Sequence, residues 1–308
     1  MRINCAIPFL IYFIFLFFSY GYALENKILL QINSKIITSL DLLNEMKILK
    51  LLNNNVGDLS NEEIIEIATK SLTKQSIKET ELLKHSKKLE LPKEYLNTYL
   101  INYSKKLNFS SKEDFFKYCE INFIDIDAVK KKITIELLWS QLIYQKFSKN
   151  LKIDKNKIEK NIAKKKFTNE YLLSEILFNV ENKKNISDKF DKIKQSINEN
   201  GFEKTALNFS ISDTSQKGGL LGWIKETSLS PKVKNIIKNI KSSDFTDPIQ
   251  VPGGFLILFV KDIRKVKNNL NIDEEIDNII RSKTNKQLSQ FSIIFLNKIK
   301  KDLIINEF

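Results

Sequence analysis

A single histidine limits what catalysis this chain of 308 residues can perform. His85 lies among Lys84, Lys87 and Lys88, the composition of a solvated helix face, and no Cys/His set with metal-ligand spacing surrounds it. The same isolation argues against a Ser-His-Asp arrangement, which needs an imidazole held between nucleophile and acid. Cys119 follows Tyr118 in an aromatic helical stretch and reads as a buried structural thiol, while Cys5 sits before an apolar run at the N-terminus. No Gly-Lys-Ser/Thr loop for a nucleotide phosphate occurs. No metal and no cofactor is therefore expected. The informative residues are glycines and prolines gathered late in the chain: Gly218, Gly219, Gly222, Pro231, Pro248, Pro252, Gly253 and Gly254. They mark tight turns in one short region.

Two patterns of apolar spacing position these turns. Ile28-Leu29-Leu30 and Ile36-Ile37 flank Asn33-Ser34 and read as a small β-hairpin. Thr38-Ser39-Leu40-Asp41 has the form of a capping box, and from there to about Lys166 the spacing is helical. Ile64, Ile65, Ile67, Ala68 and Leu72 are read as one apolar face. Asn108-Phe109-Ser110 ahead of Glu113 opens another helix. Ile133, Leu137, Leu138 and Leu142 mark a long one carrying Trp139, and Asp154 with Ile158 and Ile162 starts a shorter one. Five or six helices follow the hairpin. Near Phe167 the pattern changes: Tyr171 to Val180 reads as a strand, Ser187 to Asn200 as a helix, and Phe255 to Val260 as a buried strand. Residues 168–263 thus form a compact α/β module. Asp273 to Lys301 is amphipathic again and ends in Leu303-Ile304-Ile305, a short strand. That tail cannot bury its apolar face alone, so it is expected to dock on the N-terminal helices.

Within the module, Gly201-Phe202, Phe209 to Ser212, Gly218-Gly219-Leu220-Leu221-Gly222-Trp223, Leu229-Ser230-Pro231 and Pro252 to Phe255 follow one another in the order and spacing of a parvulin domain. The paired glycines permit backbone angles that a side chain forbids, and Trp223 is expected to pack behind their loop. The rest of the chain resembles SurA and related periplasmic foldases. The resemblance implies an α+β, mainly α architecture: an N-terminal helical chaperone region (24–166), completed by a C-terminal helix and strand (271–308), with a parvulin-like domain (168–263) inserted between them. It also implies peptidyl-prolyl isomerisation, a rotation with a barrier of about 18–20 kcal/mol. Family members bring a histidine on the first strand, a cysteine or aspartate before the glycine run and a histidine on the last strand to that task. Here Glu175, Ser212 and Leu256 occupy those positions. The resemblance places Glu175 and Ser212 as the catalytic candidates and Leu221, Leu229, Val233 and Leu256 as the peptide-binding ones. The polar set is altered at all three positions, so the module is read as catalytically degraded.

The N-terminus bears on where the protein works. Arg2, the apolar run Ile7 to Phe18 and Gly21-Tyr22-Ala23 have the pattern of a signal peptide cleaved after Ala23; an uncleaved membrane anchor is the alternative. The formal charge of +13 comes from lysines spread along the chain and mixed with acids, with no arginine-rich arm. That distribution fits solubility and attraction to acidic clients better than nucleic acid, which is not expected as a partner. The expected function is an ATP-independent periplasmic chaperone for unfolded polypeptides, outer-membrane protein precursors among them, with contact to the membrane only through the signal peptide. An active isomerase and a membrane-anchored scaffold are the alternatives. Tyr95, Tyr99, Phe115, Phe116, Tyr118, Phe123 and Trp139 are candidates for the client surface, with more of them expected in the core.

Overall fold

Capped helix starts organise the N-terminal block in the computed structural model, which describes residues 26–156, 158–159, 167–180, 185–267 and 272–308. The hairpin pairs β1 (Ile28–Ile32) with β2 (Lys35–Thr38), turning at Asn33 with φ of 51°. Thr38 caps α1 (Ser39–Leu52) through a reciprocal box with Asp41, and Ser60 caps α2 (Asn61–Leu83) the same way with Glu63. Next come α3 (Lys93–Lys106), α4 (Lys112–Ile121) and α5 (Ile126–Phe147). The cap of α4 is Ser111, just beyond the Asn108–Ser110 start that the sequence suggests; Asn108 instead makes the preceding turn with φ of 64°. The expected signal segment lies outside the described residues, as does Ile162 of the short helix after Asp154. No described helix is long and apolar enough to cross a membrane.

The module's sheet is antiparallel, in the order β4 (Leu220–Lys225), β3 (Phe167–Phe178), β7 (Gly254–Lys267), β5 (Asp244–Phe245), with β6 (Ile249–Val251) also pairing β7. Two strands differ from the sequence reading. Leu220–Lys225, within the glycine run, is an edge strand with Gly222 opposite Leu173. The β3–β7 pair also runs past the apolar stretches, down to Phe167 opposite Lys267. The charged ends are held by cross-strand pairs: Arg264 bonds Glu170 at 2.7 Å, and its guanidinium lies 4.0 Å from the ring centroid of Trp223.

Strand alternation gives the sheet two unlike faces. Ile176, Phe178 and Ile257 pack under α6 (Ile186–Asn200) and α7 (Phe202–Phe209) with Ile193, Phe202 and Ala206. The opposite face carries Leu173, Leu177, Leu256 and Leu258 and is covered by α8 (Pro231–Ile237). Glu175 has the parity of this second face.

The tail forms α9 (Ile272–Lys301) and β8 (Ile305–Glu307). β8 completes the first sheet beside β1, with Ile305 opposite Ile32, so the two ends of the chain share one sheet. α9 packs on the N-terminal helices, where the buried Trp139 donates from Nε1 to Ser292 Oγ at 2.8 Å and stacks on Phe295. It also reaches the module: Ile293 is buried in the second face's core. Docking is thus on both bodies, because a helix of 30 residues carries apolar side chains on more than one side.

Candidate functional site

Glu175 is positioned from both sides by backbone. Its N–H donates to the Gly219 carbonyl at 2.8 Å, and β3 pairs it with Leu258 of β7. A Cβ on Gly219 would lie 2.1 Å from the Glu175 carbonyl oxygen, so the glycine run can lie this close only without a side chain there. The loop between α7 and β4 then brings hydroxyls to the carboxylate. Thr214 Oγ1 donates to Glu175 Oε1 at 3.0 Å and meets Ser212 Oγ at 2.5 Å; Ser210 Oγ reaches Ser212 Oγ at 3.3 Å and accepts from the Leu177 N–H. Glu175 and Ser212, chosen from sequence, are therefore linked through Thr214. Thr214 and Ser210 were not legible in the sequence as members of the set.

Burial pushes the Glu175 carboxyl above its ordinary pKa, against the opposing effects of the Thr214 and Ser212 hydroxyls and of Lys286. The hydroxyl loop is itself anchored to α2. Lys74 Nζ donates to the Ile211 and Ser212 carbonyls at 2.9 and 3.4 Å, and Gln216 Nε2 donates to Ser71 Oγ at 2.7 Å. Below the same loop, Lys78 bonds Glu136 at 2.7 Å and lies 3.8 Å from Asp213. The site's polar edge is thus built jointly by the module and the helical block.

Beside these groups lies a chamber of about 500 Å³, within the range of small-ligand and peptide-side-chain pockets. Leu221, Leu229 and Leu256 line it, together with Leu173, Leu177 and Leu258. Val233, the fourth expected pocket residue, does not: it is buried in the core under the chamber, in the first turn of α8, and borders a neighbouring shallower cavity. The roof comes from α9, through Arg281, Lys286, Ser289 and Ile293. The only sequence signal for that wall is the amphipathic tail itself.

Elsewhere, the aromatic candidates divide. Phe115 and Trp139 are core, Tyr99 and Phe116 are partly buried, and Tyr95, Tyr118 and Phe123 are exposed, Phe123 by 82%. Cys119 is fully buried and its thiol is pushed up to about 11 by burial. His85, at the end of α2, faces Glu81 at 3.5 Å, far in sequence from every chamber residue.

Comparison with known proteins agrees with this geometry. Residues 173–262 match the PPIC-type PPIase (rotamase) domain, spanning β3 to β7. Chaperone SurA of Pseudomonas putida is 24% identical over 165 residues, covering 49% of this chain and 38% of that protein. Chaperone SurA of Pseudomonas syringae pv. tomato is 29% identical over 87 residues, covering 28% and 20%. This chain therefore spans well under two thirds of the length of these relatives. Among solved structures, a PpiC-type peptidyl-prolyl cis-trans isomerase domain is 26% identical, covering 33% of this chain and 97% of that one with a TM-score of 0.30. One of two SurA-like chaperones of Campylobacter jejuni is 12% identical over 92% of this chain and 99% of that one, with a TM-score of 0.36. The matched segment supplies the chamber's apolar floor and Glu175 but not its α9 roof; residues 173–262 are a PPIC-type PPIase (rotamase) domain, in a chain similar to the SurA chaperones.

Proposed function

We propose that this protein is an ATP-independent periplasmic chaperone that binds unfolded polypeptides, including outer-membrane protein precursors, and that its rotamase module holds peptide rather than isomerising it strongly. The observation that carries this reading is the chamber: six leucines face it, while its polar edge is a carboxyl–hydroxyl chain with no imidazole. An apolar pocket binds a prolyl or other apolar side chain by removing its surface from water, at roughly 25 cal/mol per Å². Fast rotation further asks for polar groups preorganised around the twisted bond. Leu256, buried at the position where the family has its second histidine, supplies none. Exposed Tyr95, Tyr118 and Phe123 add apolar surface on the helical block, suited to strands that alternate apolar and polar residues.

The test is aggregation of a urea-denatured outer-membrane protein, followed by light scattering. The protein is expected to suppress it without nucleotide, and Leu221→Trp, which fills the chamber, to suppress it less. Equal scattering with and without the protein would overturn the reading.

An isomerase reading has one observation in its favour: Ser212, Thr214 and Glu175 form a continuous hydrogen-bonded chain at the chamber wall. Acceleration of X-Pro rotation that disappears on Ser212→Ala would support it.

A further inference from the structure

The two walls of the chamber differ in charge. On the module side the lining is apolar apart from Glu175 and neutral hydroxyls; on the α9 side it presents Arg281 and Lys286. Two cations just outside the chamber are neutralised: Lys225 by Glu275, and Lys234 by Glu226 at 2.6 Å. Arg281 and Lys286 differ. Among the described residues neither has a carboxylate within 4.0 Å or a hydrogen-bond acceptor for its side chain. Both are exposed enough to meet an incoming chain. From this arrangement we infer that the chamber selects polypeptide segments in which an acidic side chain neighbours the prolyl or other apolar residue it holds. The apolar residue enters among Leu221, Leu229 and Leu256, and the adjacent carboxylate lies against Arg281 and Lys286 on the roof.

Two further features fit. Among the described residues Glu175 is the one carboxyl group that lines the chamber, set against Arg281 and Lys286 on the roof. Burial at the roof lowers the pKa of Lys286 and Glu175 opposes the shift; a ligand carboxylate beside the ammonium acts in the same direction as Glu175. Selection of this kind acts through charge placed at the rim of an apolar pocket, where it sets specificity more than raw affinity.

The inference rests on the reading that the chamber holds peptide, and the experiment separates the two. Fluorescein-labelled hexapeptides identical except for Glu, Gln or Lys before a central proline are titrated with the full protein, and binding is read by anisotropy. The Glu peptide is expected to bind tighter than the Gln peptide by about fivefold, what one part-exposed ion pair can supply. The Lys peptide is expected to bind most weakly. The advantage of Glu shrinks with added salt, and Arg281→Gln/Lys286→Gln abolishes it, so that the Glu and Gln peptides bind that variant equally. Equal binding of Glu and Gln peptides by the wild type, or a Glu preference surviving in the double variant, overturns the selection. Gln-peptide binding that Leu221→Trp leaves intact, or no binding by any peptide, overturns the chamber reading itself. Circular dichroism of each variant establishes that it is folded.

Discussion

Replacing Gly219 by alanine tests whether the glycine run is what sets Glu175 in place. Two costs add. At φ of +75° an L-residue is strained by about 1–2 kcal/mol. Its Cβ would also lie 2.1 Å from the Glu175 carbonyl oxygen, a backbone atom in a strand paired on both sides. One chain must retreat, and the Glu175 N–H to Gly219 carbonyl bond of 2.8 Å goes with it, at about 1–3 kcal/mol for a donor left without its partner. The expected total is about 2–5 kcal/mol. Gly222→Ala serves as the internal control: it has φ of +82° but open space around its Cβ, so only the backbone cost of about 1–2 kcal/mol applies. Gly57→Ala, with neither problem, is expected within about 0.5 kcal/mol of wild type. Urea unfolding followed by tryptophan fluorescence measures all three, since Trp223 reports on the module and Trp139 on the helical block. A Gly219→Ala midpoint no lower than that of Gly222→Ala would refute the argument.

Other perturbations reach different parts of the account. Trp139→Phe removes the buried bond to Ser292 and is expected to cost about 1–3 kcal/mol and to speed proteolysis within α9; unchanged melting and protease resistance would contradict the anchoring role. Glu175→Gln tests the raised carboxyl. Folded Glu175 keeps its proton to higher pH than the unfolded chain, whose value is the ordinary 4.5. Between 4.5 and the raised folded value the folded state therefore binds more protons, and its stability falls as pH rises. The glutamine variant loses that slope and is expected to be more stable than wild type above the window; urea midpoints at about pH 5 and about pH 8 that shift equally in both proteins would contradict it.

What the sequence made legible follows from how local each signal is. The capping boxes at Thr38 and Ser60, the hairpin around Asn33 and the apolar core of β7 are written in neighbouring residues. Glu175 and Ser212 came instead from the resemblance to a parvulin domain, and the structure links the two through Thr214. Thr214 escaped because its direction depends on the single 3₁₀ turn at Ser215–Lys217, and a short polar side chain in a loop carries no signal of where it points. β4 escaped because glycines that look like a turn can also line an edge strand when the partner strand tolerates them. The roof of the chamber is a tertiary event. Amphipathicity says that α9 must dock, and only the packing of Ile293 against the module says that it docks over Glu175's face of the sheet.

Exchange NMR of a short X-Pro peptide with the wild-type protein and with Glu175→Ala/Ser212→Ala tests the central claim most directly, because one experiment reads both binding and rotation. The account predicts peptide resonances that shift on addition of protein, with a cis/trans exchange rate close to that of free peptide in both cases. A clear acceleration by the wild type that vanishes in the double variant would contradict it and make the hydroxyl–carboxyl chain an isomerase site. Resonances that do not move at all would remove the chamber from the peptide-binding surface.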